Sequence, residues 1–456
     1  MARRQSQPHL NFLPAKISKT QNLEETDNLI TIASIEERKE LLIHEEEILE
    51  PQPECCIYRV PKDLRNINKA AYTPKVISIG PIHYGKDELA DMELQKIRFK
   101  REFSKRISVE KWQEFITFIE KHEQYIRNCY EEKPKNQKIE FITMILYDAI
   151  FIIELFLRYF YRIECEFLLF KPRVRAAIRL DLQLLENQLP YFLIKGLYML
   201  AFPETNPKAE RYPPFFLLAC LFFQDVMFDG IPEEVEVKHF TDLRRYILIR
   251  IHPKQSFGFP GSLPCAHRLQ ESGVNFKSAS TECLLDLKFE KKMLRIPCFN
   301  VFKIPIWKVC ELQIPRIQIV DGTECLIRNV MALEQCHYPM QTHVCNYIDL
   351  LDVLIDTEED VNCLVEAGVI SNHMGDNKTV ADIINKLSLQ ISGSPSCYFE
   401  IVKGLKSHND KSWNHAKATL RSVYFSNLWR GTATFCAIML LFLTLIQTIC
   451  SILQVV

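Results

Sequence analysis

Two short segments carry the main candidates among the polar residues of this chain that could do chemistry. The first is a tight turn, SIGPIHYGK, in which two glycines and a proline surround a histidine. An imidazole held in a defined turn can serve as a general base or as a ligand, although the same composition is also typical of a purely structural turn. The candidate residues of this turn are Gly80, Pro81, His83, Tyr84 and Gly85.

The second segment, LDLQLLENQLPYFL, places three consecutive polar residues inside an apolar run of helical character. Pro190 must break or restart the helix, because its ring removes a backbone donor. Buried polar groups need partners, since an unpaired group costs about 1–3 kcal/mol. We expect Glu186, Asn187 and Gln188 to form a network that fixes the junction between two helices, and a ligand site is the alternative interpretation.

A third set of carboxylates, Asp349, Asp352 and Asp356, is spaced to share one helix face. Clustered carboxylates can bind magnesium and a diphosphate, but no second acidic cluster accompanies them, so a solvated face is the prediction. The chain has no HExxH, GxSxG, P-loop, GxGxxG or paired zinc-ligand motif. Its 13 glycines are few for a fold that wraps backbone around phosphates. We therefore expect no catalytic residue, cofactor or metal.

Basic and aromatic residues alternate in the stretch KIRFKREFSKR. Its members are Lys96, Arg98, Phe99, Lys100, Arg101, Phe103, Lys105 and Arg106. This pattern can serve a nucleic acid or a membrane surface, but Met92, Phe99, Phe103 and Ile107 are spaced as the buried stripe of one helix. The basic residues are therefore predicted to form a solvated face. With 56 basic and 57 acidic residues, the whole chain has no net field that favours nucleic acid.

The elements that must position these residues are mainly helices. A helical period runs through residues 89–128, 139–200, 212–230, 346–387 and from 396 onward. Around 283–320 the pattern alternates, which predicts short strands, a turn at Asp321-Gly322 and a helix N-capped by Thr323. Short extended pieces are expected near residues 57–60 and 76–79. The predicted fold class is mainly α: a large helical globular region with a few short β-strands. Sixteen scattered cysteines indicate reduced thiols.

Two long apolar runs are candidates for a membrane-spanning helix. The run from Gly431 to Val456 has no charged residue, and about 20 helical residues already cross a hydrocarbon layer of about 30 Å. Trp429 and Arg430 stand at its entrance, as is typical of a membrane interface. The run from Phe141 to Leu157 carries two carboxylates, which favours a buried soluble helix. We predict one C-terminal transmembrane helix, with a buried core helix as the alternative.

The charges next to the apolar run predict its orientation. Residues 400–430 hold six basic and two acidic side chains, and no charge follows the run, so the globular region is expected to be cytosolic and the chain tail-anchored. Three regions result. Residues 1–53 are predicted to be an acidic, disordered tail, because ten acidic and two basic residues lie between Leu23 and Glu50. Residues 54–428 form the globular domain, and residues 429–456 form the anchor, which contacts lipid through residues 431–456.

Five blocks of the sequence together resemble the plant family known as domain of unknown function 247. They are, in order, IYRVPKDLRNINKAAYTPKVISIGPIHYGK, LADMELQKIRF, LDLQLLENQLPYFL, LIRNVMALEQC and WNHAKATLRSVYFSNLW with the anchor. Two departures stand out. The family usually has two adjacent histidines in the turn, where this chain has Ile82 and His83, and the family's Asp-Gly-Cys block appears here as Asp148, Ala149 and Ile150.

The resemblance implies a protein with no established enzymatic activity, and some relatives look like determinants of self-incompatibility, which implies recognition or signalling at a membrane. Our hypothesis is a non-enzymatic, membrane-anchored plant protein that acts through contacts with an unknown protein partner and binds no nucleic acid. The acidic stretch and the basic stretch are the candidate partner surfaces. The alternative is an enzyme that uses His83 and Glu186, which would require a deep polar pocket joining these residues with Asp148 and Glu154.

Overall fold

The computed structural model describes residues 51–162, 171–203, 212–223, 236–250, 258–259, 261–281, 283–294, 307–391, 395–411 and 428–455. Residues 1–50 of the tail predicted for residues 1–53 lie outside these ranges. In the described residues helices predominate and strands are few and short, which confirms the predicted mainly α class.

Eight helices make up the first part of the described chain. They are α1 (Lys62–Ile67), α2 (Ala90–Phe103), α3 (Val109–Asn128), α4 (Lys138–Phe160), α5 (Pro172–Asp181), α6 (Tyr191–Ala201), α7 (Phe215–Phe223) and α8 (Phe240–Ile249). Two short 3₁₀ turns, Lys69–Tyr72 and Asp87–Leu89, lie before α2. The extended pieces predicted near residues 57–60 and 76–79 form no named strand, although Ile57 makes an isolated parallel bridge to Tyr130.

Helix α4 is the centre of the first hydrophobic core. Its residues from Phe141 to Arg158 are buried almost without interruption, because neighbouring helices cover every face. Phe156 on α4 packs against aromatic rings of α7 and α8, with ring centroids 4.7 Å away at Phe222 and 5.5 Å away at Phe240. The prediction of a buried soluble helix for this run is thereby confirmed, and its two carboxylates lie inside the protein.

The second part of the described chain combines two small sheets with further helices. The elements are α9 (Ala266–Glu271), β1 (Val274–Ala279), β2 (Lys288–Leu294), β3 (Trp307–Pro315), β4 (Ile317–Ile319), α10 (Thr323–His337), α11 (His343–Leu354), α12 (Glu358–Glu366), β5 (Ile370–Asn372), α13 (Asn377–Leu387) and α14 (Phe399–Asn409). Strand β3 lies between β1, which is parallel to it, and β2, which is antiparallel, while β4 pairs with β5 in parallel. These elements enclose a second hydrophobic core, whose buried residues come from the sequence range Leu263 to Leu405.

Three local predictions were wrong. The region 346–387 is not helical throughout, because β5 interrupts it to pair with β4. Thr323 is the first residue of α10 and not its N-cap; its hydroxyl accepts from Val320 N (3.0 Å) and donates to Gln318 O (3.2 Å), so it stabilises the preceding turn. The segment from Leu182 to Pro190 is not helical, because its polar side chains bond to the backbone of other segments.

The last described helix is α15 (Leu428–Val455), and it differs from all the others in its surroundings. Its stretch Thr432–Ile452 is long and apolar enough to cross a membrane, by length and composition, and none of it is buried in the protein. The hydroxyls of Thr444 and Thr448 donate to Leu440 O and Thr444 O, both at 2.8 Å. These bonds satisfy polar groups without water, as a helix in an apolar setting requires.

Candidate functional site

The segment between α5 and α6 is a loop that lies in the interior. Every residue from Asp181 to Pro190 is buried, although loops ordinarily run over the surface where water can satisfy their backbone. A buried loop must find protein partners for its N–H and C=O groups. The side chains of Asn187 and Gln188 supply several of these partners. We call these two residues, together with Glu186 and the groups bonded to all three, the polar hub.

Asn187 joins the loop to the segment that leads into the turn. Its Oδ1 accepts from Ile79 N at 2.7 Å, and its Nδ2 donates to Ile77 O at 3.0 Å and to Asp181 O at 2.9 Å. Asp181, at the end of α5, accepts from the backbone N–H groups of three successive residues, 75–77, at 2.7–3.1 Å. The segment at residues 75–79 is thus held by side chains and not by a strand partner.

The Gln188 side chain likewise bonds to backbone groups, within its own loop and at the start of α8. Its Nε2 donates to Leu182 O (2.8 Å) and Leu184 O (2.7 Å), and its Oε1 accepts from Phe240 N (2.9 Å) at the first turn of α8. The backbone oxygen of Gln188 accepts from the Tyr130 hydroxyl at 2.9 Å. Pro190 then ends the loop as the residue before α6, where it restarts the helix as expected.

Glu186 is the charged member of the hub. Its Oε1 accepts from Val60 N at 2.8 Å and from the Arg65 guanidinium, and its Oε2 lies 3.3 Å from His83 Nε2. Burial is the largest influence on the pKa of Glu186 and raises it, but these hydrogen bonds together outweigh burial and hold the pKa below its usual value. The carboxylate is therefore ionised and enclosed by donors.

His83 is buried between this carboxylate and a lysine. Lys86 Nζ lies 2.7 Å from Nδ1, and because an ammonium can only donate, Nδ1 accepts and the ring proton is assigned to Nε2, facing Glu186. Burial lowers the pKa of His83, and the nearby Glu186 carboxylate offsets that only in part. The imidazole is thus neutral at pH 7, and both of its nitrogens face protein groups.

The backbone of the turn explains its glycines and proline. Gly80 has φ of +72° and no space for a side chain, since a Cβ there would lie 2.5 Å from Gln188 O. Its N–H donates to Asp148 Oδ2 at 2.8 Å. Gly85 also has a positive φ, +77°, but faces open space. Pro81 and Tyr84 are half-buried, and Tyr84 packs against the first core.

Asp148 anchors a second buried cluster on the other side of Gly80. Its Oδ1 lies 2.5 Å from Lys96 Nζ, which also contacts Glu93 Oε1 at 2.6 Å. Burial, despite the pull of Lys96, raises the pKa of Asp148 to about 6. Burial lowers the pKa of Lys96, but the two carboxylates outweigh it and raise the pKa. Both shifts leave the pair ionised at pH 7.

The predicted solvated basic face is therefore wrong for part of its stretch. Lys96 is fully buried against Asp148. Lys100 Nζ lies 4.6 Å from the ring centroid of Tyr147, and Arg106 Nε bonds to the buried Glu154 at 2.7 Å. The helical period placed these residues on one helix, but the neighbours of α2 determined which of them turn inward.

The four residues that the enzyme alternative requires are not all joined. His83 pairs with Glu186, and Asp148 reaches them only through the backbone of the turn. Glu154 belongs to a separate cluster, in which the Nε atoms of Arg106 and Arg158 each lie 2.7 Å from its carboxylate. An open groove of about 430 Å³ lies elsewhere, between residues of α9, β1, β3 and α12. Within the described residues, no group of three His, Cys, Asp or Glu side chains could hold a metal ion.

The acidic set on α11 is spread between interior and solvent. Asp349 and Asp352 are half-buried and Asp356 is exposed just past the helix end. Burial, and next the charge of Asp352, raise the pKa of Asp349 to about 6. The prediction of a solvated face therefore holds for Asp356 alone.

Sequence reasoning missed several members of the hub. Arg65, Asp181 and Asn329 each supply essential bonds, and Asn329 on α10 accepts from Leu185 N at 2.9 Å and donates to Ala71 O at 2.8 Å. Each of them lies in a block quoted for the family resemblance. Asp181 could have been found as a polar residue between Leu180 and Leu182, whereas Arg65 and Asn329 stand beside other polar residues and no sequence pattern distinguishes them.

Comparison with known proteins agrees with this pattern of blocks. The family model described as "Plant protein of unknown function" matches residues 57–443. The UPF0481 protein At3g47200 of Arabidopsis thaliana is 26% identical over 88% of this chain and 87% of its own length. The putative UPF0481 protein At3g02645, from the same plant, is 21% identical over 86% of this chain and 89% of its own length. No solved structure matches. The chain therefore belongs to the plant family of domain of unknown function 247.

Proposed function

We propose that this chain is a non-enzymatic protein, anchored in a membrane by α15, that acts by recognition of, or signalling to, a protein partner from the cytosolic side. The observation that carries the proposal is the exposed stretch Thr432–Ile452, an apolar helix with no cover from the folded region. Such a surface is unfavourable in water and favourable in a hydrocarbon layer.

The cytosolic orientation is supported by the excess of basic residues before α15. The natural acceptor sequon, Asn377-Lys378-Thr379, should stay unglycosylated in plant cells. Because Asn377 is bonded to Asn362 and Asn372 at the start of α13, folding could also protect it.

The sharper topology test uses the substitution Asp410→Asn, which creates an acceptor at an exposed residue after α14. A cytosolic region leaves D410N unmodified, while an acceptor appended after Val456 is modified on the other side. A glycosidase-sensitive mass increase in D410N would reverse the proposed orientation.

The absence of catalysis is supported by the use that the fold makes of its polar residues. The side chains of Glu186, Asn187 and Gln188 bond to backbone or to neighbouring charges of the fold. Polar side chains used in this way rigidify a core. A broad hydrolase, transferase and nucleotide screen on the purified full chain should give no turnover.

One observation favours the second candidate, an enzyme: His83 and Glu186 form a buried pair 3.3 Å apart, with both pKa values shifted. Reproducible turnover that is abolished by His83→Gln, in a chain that still unfolds cooperatively, would establish this candidate. The matched control is His267→Gln, at an exposed histidine on α9.

The partner is best sought where the protein resides. A membrane anchor confines the chain to a surface, where partners meet it at raised effective concentration and weak contacts suffice. The acidic stretch from Leu23 to Glu50, which lies outside the described residues, is the candidate contact segment because charge sets partner choice. Proximity labelling with the full chain should recover proteins that a chain lacking residues 23–50 does not label. Identical labelling by both chains excludes this segment.

A further inference from the structure

One side of helix α2 is exposed to solvent and takes no part in packing the first core. Leu94 and Ile97 are 67% and 45% exposed, and Arg98, Arg101 and Lys105 are exposed as well. These five residues are spaced three, one, three and four apart, so they share one face of α2 and the turn that follows it. The apolar members of the five lie at the N-terminal side, one turn after the exposed Asp91, and the cations lie at the C-terminal side. We call this set the α2 face.

The structure separates these cations from the others in the same stretch. Lys96, Lys100 and Arg106 turn toward α3 and α4, where carboxylates and aromatic rings receive them. The opposite side of α2 buries Met92 and Phe99 in the first core. The α2 face is therefore the solvent side of a firmly packed helix.

Glu102, the carboxylate that pairs with Lys105, does not remove the positive charge of Lys105 from solvent. Glu102 Oε2 lies 2.8 Å from Lys105 Nζ and 3.8 Å from the Arg158 guanidinium. Lys105 remains 67% exposed in this arrangement, and pairs of exposed charges bind each other only weakly. Anionic groups outside the protein can therefore still reach the exposed Arg101 and Lys105.

We propose that the α2 face lies on the anionic headgroups of the same membrane that α15 enters, so that the protein makes a second, peripheral membrane contact. The proposal rests on the anchoring proposed above. Exposed aliphatic side chains next to cations are the pattern of interfacial helices, in which the chains enter the headgroup boundary and the cations bind anionic lipid. An acidic protein would use the cations but leaves the exposure of Leu94 and Ile97 without a purpose.

The connection to α15 is long enough for such a contact. Sixteen residues, 412–427, separate the end of the described region after α14 from α15. A chain of this length spans at most about 58 Å. The number of residues in this segment therefore does not by itself prevent the α2 face from reaching the bilayer that α15 enters.

The test uses the full chain inserted into nanodiscs of neutral lipid or of lipid with about one-third phosphatidylserine. Acetylation of Lys105 by an amine-reactive reagent is followed by mass spectrometry, with the exposed Lys378 on α13 as internal reference. We expect acetylation of Lys105 to be slower in the anionic discs by about fivefold, since each cation near such a surface contributes a factor of this order. High salt, Arg98→Gln with Arg101→Gln, and Leu94→Ser with Ile97→Ser should each restore the neutral-disc rate. The control pair Arg173→Gln and Lys195→Gln, at exposed positions of α5 and α6, should not.

Equal rates of Lys105 acetylation in the two kinds of disc would overturn the proposal, as would equal slowing at Lys378. Slowing by added polyglutamate but not by anionic discs would assign the α2 face to an acidic protein instead. Failure of the chain to enter discs at all would refute the anchoring by α15, a result distinct from an unprotected Lys105 in a chain that has entered.

Discussion

Helices α4 and α15 are both long and apolar, and the molecule treats them in opposite ways. Helix α4 is buried almost without interruption from Phe141 to Arg158, and Asp148 and Glu154 on it are paired with cations from neighbouring segments. Helix α15 has no charged residue after Arg430, and its large side chains are exposed. The difference shows that a charged residue in a long apolar helix predicts burial in a protein. A protein interior can provide a counter-ion for the charge, whereas lipid provides none.

The largest expected effect comes from removing α15. A chain that lacks residues 431–456 should move completely from the membrane pellet to the supernatant after alkaline carbonate extraction, because none of the described stretch Thr432–Ile452 is buried against the folded region. Its thermal unfolding should stay cooperative. A shortened chain that remains in the pellet, or that is unfolded, would contradict the assignment of α15 as a membrane anchor outside the folded core.

Next in size is the substitution Asp148→Ala in α4. It leaves the ammonium of Lys96 buried without its closest counter-ion, so the free energy of unfolding should fall by about 3–5 kcal/mol. The measurement is urea unfolding of the full chain in mild detergent, followed by near-ultraviolet circular dichroism. The double change Asp148→Leu with Lys96→Met should restore much of the loss, since it removes both charges. A loss of under about 1 kcal/mol in D148A would show that α4 does not need its ion pair.

A pH effect is expected at His239, which begins α8 beside α4. His239 is fully buried; it accepts from Asp242 N and its Nε2 donates to Cys56 O at 2.9 Å. Burial lowers the pKa of His239 to about 4, whereas the unfolded chain binds a proton near pH 6.5. The stability from this group is present above pH 6.5 and is lost as pH falls toward 4, in total about 3 kcal/mol.

The variant His239→Asn isolates this effect, because asparagine can cap a helix but does not titrate in this range. The stability difference between the natural chain and the variant should shrink by that amount between pH 7 and pH 4. Carboxyls with raised pKa values, such as Asp181, titrate in both chains and cancel. A difference that is constant with pH would mean that His239 is not buried in its neutral form.

A smaller loss, about 2–3 kcal/mol, is expected for Glu186→Ala in the polar hub. The substitution leaves Val60 N and the Arg65 guanidinium without their acceptor in a buried setting. Glu120→Ala, at an exposed position on α3, is the matched control and should change little. Unchanged unfolding of E186A together with lost partner binding would make the hub a recognition site and not a structural one.

Much of the fold could be predicted from the sequence because local patterns determine it. Phe115, Ile119 and Ile126 recur at the helical period, and all three are buried on one side of α3. The alternating stretch at 283–320 did form strands, and Pro190 did begin a helix. The single β5 strand could not be predicted, since it is held by pairing with β4, about fifty residues away.

What the sequence by itself determined was the type of each long element, the uncharged run that became α15, and the membership in a plant family through five blocks. These follow from composition and period, which are local properties. The tertiary structure alone decided that Lys96 would be buried while Arg101 stays exposed, and that Glu186 would meet His83 and Arg65 across more than a hundred residues. The reason is that a buried charge is tolerated only where a distant segment brings its partner within hydrogen-bonding distance, and that encounter exists only in the folded chain.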